Sequence, residues 1–146
     1  MQVPWGHYLK IILSDKPTVG ALMDLCEENY AFISRLIPDL SNMQGRDCSR
    51  SREHADLYLE ILEQSRYTSL IHLTYYFDSR EKQEPDPDVV LKVYHDAGQV
   101  EVVDLKQSVL PLHSLYDAPG LQNKWQANLF VSKWLAFCVH QGHQFP

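Results

Sequence analysis

Cysteine is scarce in this chain and badly placed for pairing. Cys26, Cys48 and Cys138 are an odd number with no C-x-x-C pair, which argues against a disulfide framework and for a reducing compartment. Cys26 and Cys138 sit inside apolar helical patterns, where a free cysteine behaves as a small hydrophobe. Long apolar runs are also missing, and none approaches the ~20 residues that span a bilayer. Tyr8 to Leu13 is too short for a signal-peptide core and is broken by Lys10. A cytoplasmic location without membrane contact is therefore expected. Positive charge is in deficit, with 13 basic against 19 acidic residues and a net charge of −6. Such a field repels phosphate backbones, so nucleic acid is disfavoured as a partner. There is no G-x-S-x-G elbow, no P-loop and no G-x-G-x-x-G. No cofactor is expected.

What is present suits one α+β domain over residues 1–146. The chain is 45% hydrophobic and 22% charged, and a chain this long buries roughly 70% of its unfolded surface without staples. Residues 1–17 read as an N-terminal arm. Leu22, Leu25, Cys26, Asn29, Phe32, Ile33 and Leu36 recur at helical spacing, predicting a helix from about Thr18 to Ile37 between Pro17 and Pro38. The polar stretch 39–53 has no period and reads as an exposed loop.

From His54 the period becomes two. Leu57, Leu59 and Ile61, then Ile71, Leu73, Tyr75 and Phe77, mark the two strands of a hairpin. Setting Ile61 against Ile71 and Leu59 against Leu73 requires an odd number of residues between them, such as the loop Ser65 to Tyr67. The charged, proline-bearing stretch 78–88 reads as a solvated connector. A second hairpin, Val89 to Asp96 and Gln99 to Lys106, turns at Ala97-Gly98 and sets Val93 opposite Val102. The expected sheet thus has four antiparallel strands made of two hairpins. Its second face, with Tyr58, His72, Tyr76, Val90 and Tyr94, is more apolar than a wet face, so partial cover by a helix is expected, with a binding surface as the alternative.

The closing stretch, Asn123 to His140, is apolar over most of a helical wheel, with only Gln126, Lys133 and His140 forming a polar strip. A helix of that kind is buried on most sides. Asn123 is placed to cap it. Trp125 and Trp134 are the residues whose burial tests this reading.

Chemistry is sparse. Arg66 and Tyr67, at a hairpin tip, offer a donor fork and an aromatic plate for an anionic group. Tyr94 and His95 stand at the second turn, and Tyr116 precedes the last helix. Arg66, Tyr67, Tyr94, His95 and Tyr116 together form the candidate binding surface, for a protein partner or a small anionic ligand. Asp96 is a poor orienter of His95, because neighbours in a strand point to opposite faces. Asp86 and Asp88 read as solubilising. Cys138 and His140 lie ~160° apart on a helix and cannot share one ion, while His143 falls in a frayed tail, so no metal site is expected. The tyrosine-bearing face could stack RNA bases, but Asp56, Glu60, Asp96 and Glu101 outnumber Lys92 there. A non-enzymatic binding or adaptor domain is the leading expectation. The rival is a small enzyme acting on an anionic metabolite, with His95 or His72 as base and Arg66 as anion holder.

Four segments carry a family resemblance. They are LMDLCEENYAFISRLIP, LEILEQSRYTSLIHL, LKVYHDAGQVEV, and YDAPG followed by NKWQANLFVSKWLAFC. In order and spacing this chain resembles the YqiB-like family of bacterial proteins of unknown function, over roughly Thr18 to Gly142. The SRYT stretch and the YHDA turn are its most specific parts. Relatives tend to show Asp-Glu-Lys where this chain has Gln122-Asn123-Lys124, and an arginine at Leu115. The resemblance implies a small cytoplasmic bacterial protein and brings no activity with it.

Overall fold

A computed structural model describes residues 17–51, 55–78, 83–107 and 120–146. Most of the N-terminal arm and Tyr116 lie outside these residues. Helix α1 spans Val19–Leu36. Thr18 caps it by accepting a hydrogen bond from the Ala21 amide, 3.1 Å away. Leu25, Cys26, Asn29, Ile33 and Leu36 are its buried residues, all on the predicted face. A short 3₁₀ turn, Leu40–Asn42, leads into the sheet.

The sheet has five strands, not four. They are β1 Arg46–Ser49, β2 Leu57–Gln64, β3 Thr68–Asp78, β4 Gln83–Tyr94 and β5 Gln99–Lys106. Each pairs antiparallel with the next in an unbroken meander. Two stretches expected to be loops are therefore partly strand. Arg46–Ser49 lies along β2, and Gln83 to Asp88 forms the first half of β4, with a cis peptide at Asp86-Pro87. Charge and proline hid both: an edge strand needs no alternation of apolar residues, and proline is tolerated beside a bulge. Such a bulge interrupts the β3–β4 ladder between Thr74 and Tyr76.

The β2–β3 register sets Leu59 opposite Leu73 and Ile61 opposite Ile71, as the hydrophobic pattern demanded. The odd residue comes from an unexpected place. The Ser65 amide bonds the Thr68 carbonyl at 2.9 Å, which closes a tight turn around Arg66 and Tyr67. The extra residue is instead Leu62, bulged out of the ladder between Ile61 and Glu63.

At β4–β5, Val93 opposes Val100 rather than Val102, because the turn takes four residues, His95 to Gly98. The shift is two, an even number, so each side chain near the turn stays on its predicted face. Gly98 adopts the positive φ of 64° that the turn requires.

Helix α2 spans Leu121–His140, starting two residues earlier than expected. Gly120 rather than Asn123 precedes it, and no side chain caps it. Its burial is as read: Trp125 is 8% and Trp134 1% exposed. Even Gln126, from the expected polar strip, is buried, as are Asn128 and Ser132. Asn128 joins three elements. Its Oδ1 accepts from the Val102 amide of β5 (3.2 Å) and contacts Cys26 Sγ of α1, while its backbone carbonyl accepts from Asn29 Nδ2.

One buried cluster contains both helices and a single sheet face, including Leu57, Leu59, Ile71, Leu73, Leu91 and Val100. The expectation that a helix covers the second face is not met: no described helix lies there. The tail is not frayed either. Phe145 is fully buried and its amide bonds Leu36 O at 2.7 Å. His143 is buried with Nδ1 2.8 Å from Ser49 Oγ, which also accepts from the Gln144 amide. No described helix is long and apolar enough to cross a membrane.

Candidate functional site

The two hairpin turns expected to carry function meet at one end of the sheet. Thr68 pairs with Tyr94 across β3–β4, and the His95 amide bonds the Tyr67 carbonyl at 2.8 Å. These contacts bring Arg66, Tyr67, Tyr94 and His95 together. Arg66 is exposed, with its guanidinium 5.1 Å from the centre of the Tyr67 ring. Lys92 Nζ lies 5.3 Å from the centre of the Tyr94 ring. Neither cation belongs to an ion pair among the described residues, unlike Arg46 with Glu60 and His72 with Asp88. A hollow of about 160 Å³ beside this end is lined by Glu63, Ser65, Thr68, Leu70 and Lys92.

His95 has partners the sequence did not reveal. Its Nε2 lies 2.7 Å from Ser69 Oγ, which donates in turn to Gln64 Oε1. Sequence reasoning could have suspected Gln64 and Ser69, since both flank the first turn. Only the β3–β4 pairing, invisible through the proline-bearing stretch, puts His95 beside them.

A second constellation lies on the open sheet face. A hollow of about 250 Å³ is lined by Arg46, Tyr58, Glu60, His72, Thr74 and Tyr76, with Asp47 and Leu59 at its edge. His72 Nε2 is paired with Asp88 Oδ1, which also accepts from Thr74 Oγ1 at 3.0 Å. Asp88 is thus an orienting group for a histidine rather than a merely solubilising charge. Tyr58 and Tyr76 meet edge to face, 5.0 Å between centres. The Tyr58 phenol is pushed above its ordinary range, first by the charge of neighbouring Cys48 and then by lost hydration. Arg66 does not line this hollow; Arg46 does.

The described residues hold no group of three or more His, Cys, Asp or Glu arranged for a metal ion. Cys138 is fully buried, and burial holds its thiol far above the usual range. It is core, not chemistry.

A meander of this kind, backed by two helices, defines an α+β protein with an antiparallel sheet. Residues 32–144 match the family model described as "Protein of unknown function (DUF1249)", and the chain belongs to that family. It is 29% identical over 137 residues to "Uncharacterized protein YqiB" of Escherichia coli strain K12, covering 86% of this chain and 91% of that protein. The YqiB proteins of Escherichia coli O6:H1 and O157:H7 match to the same extent. No solved structure matches.

Proposed function

We propose that this protein is a non-enzymatic cytoplasmic binding domain. Its sheet end, with Arg66, Tyr67, Lys92 and Tyr94, would receive an anionic group carried by a protein segment or a small ligand. The observation that carries the reading is the pair of stacked cations without carboxylate partners, in a chain whose net charge is −6. Acidic side chains outnumber basic ones, so two cations outside any described ion pair stand available to an incoming anion. Stacking on an aromatic ring contributes roughly 0.5–1 kcal/mol at an exposed site and orients the guanidinium fork in advance. The three cysteines are unpaired, which supports the reducing compartment.

The test is capture from the native cell with wild type and the Arg66→Ala/Tyr67→Ala variant. Loss of a co-eluting partner with an unchanged melting temperature supports the reading. A large drop in melting temperature assigns both residues to the scaffold instead.

A second reading is favoured by the His72–Asp88–Thr74 arrangement, since a general base needs an acid directed at its ring. In it, His72 acts as base on an anionic metabolite in the open-face hollow, with Arg46 rather than Arg66 as the anion holder. Turnover lost in His72→Asn and retained in Arg66→Ala would select it over the binding reading.

A further inference from the structure

The hydrogen bonds leading to His95 have a direction that follows from the donor and acceptor roles alone. Gln64 Nε2 lies 2.7 Å from the Leu40 carbonyl and 2.9 Å from the Met43 carbonyl. Carbonyls only accept, so the atom between them is the amide NH₂ and the orientation of Gln64 is settled. Its Oε1 therefore accepts, and the single hydroxyl proton of Ser69 goes to it. Ser69 Oγ then has only lone pairs to offer His95 Nε2. The proton in that contact must come from the ring: neutral His95 carries N–H at Nε2 and a bare lone pair at Nδ1. Ser69 is fully buried, so water does not compete for these bonds.

Nδ1 accepts no hydrogen bond among the described residues. The ring lines a cavity of about 160 Å³, with Tyr30, Ile33, Ser34, Ile37 and Ser41 among the other walls. The last turn of α1 forms part of the wall, and the carbonyl end of a helix favours positive or donor groups. A volume of this size equals about five waters at ~30 Å³ each, or an organic group of a few heavy atoms.

We propose that this cavity binds a small ligand through a hydrogen-bond donor, an N–H or ammonium group directed at His95 Nδ1. The Ser34 and Ser41 hydroxyls supply its remaining polar contacts. Gln64 and Ser69 are positioning residues that hold the ring with its acceptor outward. The cavity is walled by α1 and the turn after it rather than by Arg66 and Tyr67, and it prefers a donor where that surface prefers an anion.

The experiment uses the full chain with ¹⁵N-labelled histidine, read by long-range proton–nitrogen spectra at about pH 8. The probes are methylammonium, acetamide and acetate. The free protein shows the neutral ring protonated at Nε2. Methylammonium or acetamide moves Nδ1 saturably, with Kd on the order of 10 mM for so small a probe, and which of them does so tells a charged donor from a neutral one. Acetate has no effect. Ser69→Ala weakens the response about five- to tenfold, the scale of one lost ordering hydrogen bond, while the amide fingerprint shows the fold retained. Three results overturn the proposal: a ring protonated at Nδ1, saturation by acetate or by no probe at all, or full probe affinity in Ser69→Ala.

Discussion

The same strands build two unlike surfaces. On one side Leu59, Ile71, Leu73, Leu91 and Val100 are sealed beneath both helices; on the other, Tyr58, His72, Tyr76, Lys92 and Tyr94 stay half-buried with no described helix over them. Strand side chains alternate, so a sheet lets stability and recognition be encoded in alternate positions of one segment. Burial at roughly 25 cal/mol per Å² makes the closed side responsible for the fold. The open side is left to carry polar pairs and aromatic edges at little cost to stability.

The largest break in that contrast comes from the closed side. Trp134→Ala leaves a cavity next to Tyr75 and should lower unfolding free energy by about 3–5 kcal/mol in urea titration. Asn128→Ala comes next, at about 1–3 kcal/mol, because it removes the acceptor for the Val102 amide and disturbs the contact with Cys26.

Alkaline pH probes the same side more gently. Burial, then the charge of Glu101, pushes the Cys26 thiol up from 9.0 to about 11. The folded state therefore keeps its proton where the unfolded chain has lost it. Stability from this group is full below pH 9 and falls as pH rises through 9 to 11. Cys26→Ala should flatten that slope in denaturation curves, by on the order of 1–2 kcal/mol near the upper end. The smallest effect belongs to the open end: Arg66→Ala should change stability by less than about 0.5 kcal/mol. A large loss there would erase the distinction between the two surfaces.

Much of the closed side was legible beforehand. The period of α1, the parity of the first hairpin and the all-round burial of α2 all follow from apolar spacing, which burial on one face enforces. What escaped notice does not depend on apolar spacing. Arg46–Ser49 pairs through its backbone at an edge, and Gln83 to Asp88 pairs despite two prolines. Phe145 docks by one amide bond and its ring, after Gly142 turns the chain. The site was half legible for the same reason. Arg66, Tyr67, Tyr94 and His95 stood out by residue type, and Tyr116 lies outside the described residues. Asp88, Arg46, Gln64 and Ser69 acquire meaning only from partners on other strands. His72 and Thr74, two apart on one strand face, were the available hint of the third polar group, Asp88, that joins them from β4.

The Asn128 amide also has a counterpart at the far side of the sheet. It takes a backbone donor of β5, the last strand, while the tail residue Gln144 engages Ser49 on β1, the first. Each border strand is thereby tied inward once: a β5 amide is held by the last helix, and the Ser49 hydroxyl of β1 holds the tail.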